Sequence, residues 1–158
     1  MPRPPDPAED PMARISEPLT IDIPQELAFD QVADFTTTAV WDPGITAARR
    51  LDDGPLGVGS RFEVQLRQGP VSVPLVYEIT TYDRPHRVVL ETKGLPYQGV
   101  DDVTFEPVDG GTLVTWNAMF RLRGPGRLVD PALAVGFRRT ATKAVAGLER
   151  FLRAQATS

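Results

Sequence analysis

From Ile15 onward, apolar and polar residues follow one another with a regular period. Ile15, Leu19, Ile21 and Ile23 fall on one side of an extended chain, and Ser16, Thr20 and Asp22 fall on the other. A period of two predicts a half-buried strand. Pro24 then suits the first turn of a helix, and Leu27, Ala28, Val32 and Phe35 recur at helical spacing. That helix is short, with a break expected near Asp34. Trp41-Asp42-Pro43-Gly44 predicts a turn. A train of strands follows. Residues 45–51 form a candidate strand closed by Asp52-Asp53-Gly54-Pro55. Ser60, Phe62, Val64 and Leu66 alternate with Arg61, Glu63, Gln65 and Arg67. After Gln68-Gly69-Pro70, Val71, Val73, Leu75, Tyr77 and Ile79 alternate with Ser72, Pro74, Val76 and Glu78, and Pro74 warns of an edge or a bulge. Asp83-Arg84-Pro85 turns the chain, and Val88, Leu90 and Thr92 form the next face. A loop from Gly94 to Gly99 leads to Val103 and Phe105. Asp109-Gly110-Gly111 signals a hairpin. The last strand sets Val114, Trp116, Ala118, Phe120 and Leu122 against Thr115, Asn117 and Arg121.

The chain closes with a helix over 130–154. Asp130 is its candidate N-cap and Pro131 its first residue. Leu133, Phe137, Ala141, Ala144, Leu148 and Leu152 form one stripe, with Arg138, Arg139, Lys143, Arg150 and Arg153 off it. About 24 residues make a rod of roughly 36 Å, long enough to cross a whole sheet. An apolar sheet face and an apolar helix face must bury each other. The expected fold class is therefore α+β: a helix-grip fold with a seven-stranded curved antiparallel sheet, two short helices and a long C-terminal helix.

Composition narrows the function. Residues 1–13 carry five prolines and mixed charges, which suits a flexible N-terminal arm, and residues 14–158 are expected to form one domain. A net charge of −4 argues against nucleic acid as a partner. With no cysteine and one histidine, His86, thiolate and multi-histidine metal sites are excluded. No cofactor and no metal are expected. No apolar run approaches the ~20 residues of a membrane span, and no apolar leader stands at the N-terminus. A cytoplasmic location is the default expectation, and the oligomeric state, a homodimer included, is open.

The order strand, short helices, six strands, long helix resembles the START-like, or SRPBCC, superfamily. Within it the chain is similar to polyketide cyclase/dehydrase-type proteins. The resemblance spans about residues 15–155. It rests on Ala28-Phe29-Asp30 with Val32-Ala33-Asp34-Phe35, on Trp41-Asp42-Pro43, and on Gly57-Val58-Gly59-Ser60-Arg61-Phe62. Tyr77-Glu78-Ile79, Arg84-Pro85-His86-Arg87, Phe105-Glu106-Pro107 and Gly110-Gly111-Thr112 complete it. These motifs report turns and packing. The resemblance implies a cavity that accepts apolar or aromatic molecules, and it does not establish cyclisation.

Most residues of inward parity are apolar. The exceptions are Ser60, Tyr77, Thr92 and Asp101; Arg49 is either a fifth or a snorkelling surface residue. Hairpin registers centred on Arg84-Pro85, between Pro96 and Tyr97, on Gln68-Gly69 and on Asp109-Gly110 pair Tyr77 with Thr92, Thr92 with Asp101, Ser60 with Tyr77, and Asp101 with Ala118. Trp116 then lies one step from Asp101. Asp101 and Tyr77 are the candidate catalytic residues. Asp101 acts as a base if desolvation raises its pKa, or else it sits solvated at the cavity mouth. Ser60, Phe62, Thr92, Tyr97, Trp116 and Phe137 are the candidate ligand-binding residues. His86 reads as a surface turn residue, and Gly57-Val58-Gly59 is a poor phosphate site because it leads into a strand. Gly136 and Gly147 each cost the helix about 1 kcal/mol against alanine; they leave room for a ligand, admit close packing, or are merely tolerated. Three functions compete. The protein binds a small apolar or aromatic molecule, or is a cyclase/aromatase acting on a poly-carbonyl chain, or is an interaction module using its groove for a lipid-like or protein partner. No sequence feature separates the first two.

Overall fold

The computed structural model describes residues 12–94, 97–122 and 131–156. The elements run β1 (Met12–Ile21), α1 (Gln25–Ala33), a 3₁₀ turn (Phe35–Thr37), α2 (Thr38–Trp41), β2 (Ile45–Arg50), β3 (Arg61–Gln68), β4 (Val71–Asp83), β5 (Arg87–Gly94), β6 (Tyr97–Val108), β7 (Gly111–Leu122) and α3 (Pro131–Gln155). The strands make one curled antiparallel sheet in the order β1-β7-β6-β5-β4-β3-β2. The first strand returns to pair with the last, so only β1 and β2 are edges. Among the described residues no helix is long and apolar enough to cross a membrane.

The inner face is the core. Phe62, Val64, Ile79, Val88, Leu90, Val103, Phe105 and Val114 are buried there, as strand parity requires. Helix α1 lies across β5, β6 and β7 and buries Ala28, Phe29, Val32 and Ala33 against them. It stops where Asp34 turns extended. The Asp34 carboxylate accepts the Thr36 amide (3.1 Å) and the Thr36 hydroxyl (2.6 Å), which starts the 3₁₀ turn. That turn and α2 then cover β2.

Helix α3 packs on β1 and α2. Leu148 and Leu152 are buried, and Arg139, Lys143, Arg150 and Arg153 face out, as their stripe predicts. The side chains of Leu133 and Phe137 lie outside the described residues. At Gly147 the helix meets the end of α2 so closely that an added Cβ would overlap the Trp41 carbonyl oxygen. This glycine therefore admits close packing on α2, not on the sheet.

Several expectations are corrected in detail. The β3–β4 turn is one residue later than expected, so Phe62, not Ser60, stands opposite Tyr77, and Ser60 adjoins Ile79. The β5–β6 connection is shorter than the expected 94–99 loop. Gly94 already pairs with Tyr97, and Thr92 stands opposite Gly99, while Asp101 stands opposite Leu90. Both slips are of two residues in pairing, so every side chain stays on its predicted face. Tyr77 does pair with Thr92, because a bulge between Ile79 and Thr81 offsets the longer Arg84–His86 turn. Asp101 pairs with Ala118. A bulge between Ile45 and Ala47 sets the parity of β2, and of the two readings open for Arg49 the surface one holds: it points outward to Glu63 at 3.1 Å. Pro74 lies where β4 is locally an edge, as expected, although β4 as a whole is an inner strand. It lies before Tyr77, where the described pairing of β4 with β5 begins, so its missing N–H breaks no rung on that side.

Candidate functional site

Midway along the inner face the apolar lining is interrupted. Tyr77 on β4, Asp101 on β6 and Trp116 on β7 share inward parity, and the Trp116 indole N–H donates to Asp101 Oδ1 at 3.0 Å. Across from the sheet, the end of α2 and the residue after it bring in two more groups. The Trp41 ring lies 5.4 Å from that of Trp116, edge to face at 72°. The Asp42 carboxylate follows, with one oxygen accepting the Gly44 amide at 2.8 Å. The Trp41 indole N–H is held by the Thr37 hydroxyl (3.0 Å), which fixes the ring. Tyr77 packs its ring 5.0 Å from Phe35.

The electrostatics follow from burial. Asp101 has its pKa pushed up to about 6, chiefly by desolvation; the Trp116 N–H opposes the rise and the Asp42 charge adds to it. Asp42 is raised too, by desolvation, with the Gly44 amide opposing. Tyr77 is held well above its ordinary value by desolvation and then by the charges of Asp101 and Asp42. Tyr77 thus senses both carboxylates, and Asp101 senses Asp42. Tyr77 and Asp101 are enclosed by protein yet keep part of their surface accessible.

The predicted site residues divide accordingly. Tyr77, Asp101 and Trp116 come together. Thr92 is buried beside Tyr77, and Phe62 is buried opposite it, packed toward Phe35 at 6.2 Å. Ser60 is occupied elsewhere: its hydroxyl accepts the Gly57 amide (3.1 Å) and Arg50 Nη2 (3.3 Å), which ties down the loop before β3. Tyr97 lies in β6 and Phe137 in α3, and the side chains of both are outside the described residues. His86 is exposed in its turn, beside the Gln25 amide at 3.3 Å. Asp42 and Trp41 were missed. The Trp41-Asp42-Pro43 triplet was visible, but it reads as a turn, and a turn offers no parity to aim its side chains inward.

A half-barrel of seven strands with a long C-terminal helix packed on it is a helix-grip fold. Residues 12–153 match the family described as polyketide cyclase / dehydrase and lipid transport, and the chain belongs to that family. No curated protein matches the chain in sequence. Solved structures share its fold. A START superfamily protein from Mycobacterium smegmatis superposes with a TM-score of 0.74 at 14% identity, over 90% of this chain and 98% of that one. A protein from Thermus thermophilus gives 0.73 at 17% identity, over 94% and 99%. The Zhui aromatase/cyclase from a Streptomyces species gives 0.73 at 13% identity, over 92% and 96%.

Proposed function

We propose that the protein binds a small apolar or aromatic molecule between the sheet and α3, with Tyr77, Asp101 and Trp116 setting its orientation. The observation that carries this reading is the partly accessible but enclosed Tyr77–Asp101 pair within a wall of Val, Leu, Phe and Trp side chains. Burial of an apolar ligand there contributes roughly 25 cal/mol per Å² of area removed from water, and a few polar groups suffice for orientation. Family membership and the START neighbour fit the same role. The test is native mass spectrometry of the purified protein. An apolar small molecule should travel with the wild type and be lost or weakened in Trp116→Ala. A ligand-free protein that also takes up no apolar probe would sink the reading.

One observation favours a second role. A carboxyl with a pKa of about 6 beside a tyrosine hydroxyl is poised to move protons near neutral pH, and one neighbour is an aromatase/cyclase. In that role Asp101 takes a proton from the carbon between two carbonyls of a poly-carbonyl chain, and Tyr77 donates to the developing enolate oxygen. Asp101→Asn should then abolish turnover while leaving binding. Full turnover in both Asp101→Asn and Tyr77→Phe would exclude the assignment.

A further inference from the structure

The polar cluster is electrostatically one-sided, and that constrains what can fill it. The cluster holds two carboxylates, and each has one oxygen already bonded: Asp42 to the Gly44 amide and Asp101 to the Trp116 indole. The second oxygen of each has no hydrogen-bond partner among the described residues, and neither has the Tyr77 hydroxyl. Among the described residues no cation contributes to the field at Asp42, Asp101 or Tyr77. The nearby arginines are engaged elsewhere: Arg49 with Glu63, Arg50 with Asp52 and the loop before β3, Arg84 with Asp30, and Arg87 with Asp102. Unpaired, desolvated carboxylates are costly, and an opposite charge beside them recovers the cost.

The surrounding surface narrows the nature of that charge. Among the described residues no group of three or more metal-ligating side chains occurs, and a hard divalent ion needs six or more oxygens. What the site offers instead is two indole rings at right angles, from Trp41 and Trp116. Indole faces attract organic cations, and do so more strongly when desolvated. A hydroxyl and two free carboxylate oxygens accept N–H donors, and the wall beyond them is apolar. We propose that the Asp42–Tyr77–Asp101 cluster, with Trp41 and Trp116, is a recognition site for a protonated amine carried on an apolar or aromatic body. This rests on the ligand-binding reading above and names its ligand class. The ammonium sits between the two carboxylates, and its carbon chain runs along the inner face of the sheet.

The chain has two tryptophans and both are in this site, so indole emission reports occupancy directly. The full chain is titrated with 4-phenylbutylammonium and with 4-phenylbutanol, which share one apolar body and differ in charge. The amine should bind about ten-fold or more tightly than the alcohol. That preference should vanish in the Asp42→Asn/Asp101→Asn double variant, and adding salt should weaken the amine alone. Both replacements keep size and remove a desolvated charge, so the fold should survive. If the double variant does not fold, the two single variants serve, each with a reduced preference. Equal affinity for the two probes, or a preference that persists in the variants, overturns the amine site while leaving the apolar-ligand reading. Failure of both probes to bind overturns the two together.

Discussion

The inner face of this sheet is closed in two ways. At the α1 end it is solid. The Phe29 ring meets Tyr82 at 5.2 Å and Phe105 at 5.3 Å, both edge to face, and Ile21, Val88, Val103 and Thr112 are buried around them. The buried Thr112 hydroxyl there is satisfied, donating to the Ile23 carbonyl at 2.8 Å. A few rungs along the same strands, Tyr77, Asp101 and Asp42 keep unbonded polar atoms. Strand parity is the same in both halves. The difference comes from what covers them. Helix α1 lays a large aromatic side chain into the first half, whereas the turn after α2 presents a carboxylate to the second. One half is built to exclude everything, and the other is built unfinished. A protein gains little stability by leaving desolvated carboxylates unpaired, which is why the proposed ligand is placed in the unfinished half.

The largest expected effect tests the filled half. Phe29→Ala removes a wholly buried ring and should cost about 3–5 kcal/mol, the usual range for such truncations. Thermal and denaturant unfolding would show it. Both tryptophans lie in the other half, so indole emission of the folded variant should match the wild type. A small loss, with altered emission, would mean that the two halves are not packed independently.

The same contrast explains what could be read from the sequence. Alternation placed seven strands, the terminal helix and the inward set Tyr77, Thr92, Asp101 and Trp116, because each strand has one buried face and a two-residue slip preserves it. Register itself was less legible, since turn lengths at Gly69-Pro70 and around residues 95–96 are not fixed by composition. Ser60 shows the limit of parity: the face was right, but a local loop claimed the hydroxyl. Arg49 shows the effect of a bulge, which no hydrophobic pattern announces in so short a strand. Asp42 was illegible for a different reason. Its direction depends on how the covering segment docks, a tertiary property with no period in the sequence.

An intermediate effect separates the halves by pH. Asp101 has an ordinary carboxyl value of 3.8 when unfolded and about 6 when folded. The folded protein therefore binds this proton more tightly, and its ionisation destabilises. The stability associated with the protonated form is full below about pH 4, is lost as pH rises through 6, and stays lost above. The gap corresponds to roughly 2–3 kcal/mol. Asp101→Asn keeps an acceptor for the Trp116 N–H and cannot ionise. The variant should match the wild type near pH 4 and exceed it by that amount at pH 7.5. Denaturant midpoints at several pH values would check it. A constant difference across the range would show that Asp101 is solvated in the folded protein.

The smallest effect is the sharpest comparison, because it sets one buried hydroxyl against another. Thr112→Val in the filled half leaves the Ile23 carbonyl without its donor, and an abandoned buried partner costs about 1–3 kcal/mol. Tyr77→Phe removes a hydroxyl that has no partner among the described residues, so nothing there is left unsatisfied, and stability should change by no more than about 0.5 kcal/mol. Ligand affinity should order the two the other way, with Thr112→Val neutral and Tyr77→Phe weakened. Equal losses of stability would give Tyr77 a structural bond, and the unfinished half would then be ordinary core. Opposite orders in stability and affinity would show that one sheet face carries a folding half and a binding half, divided where the turn after α2 takes over from α1.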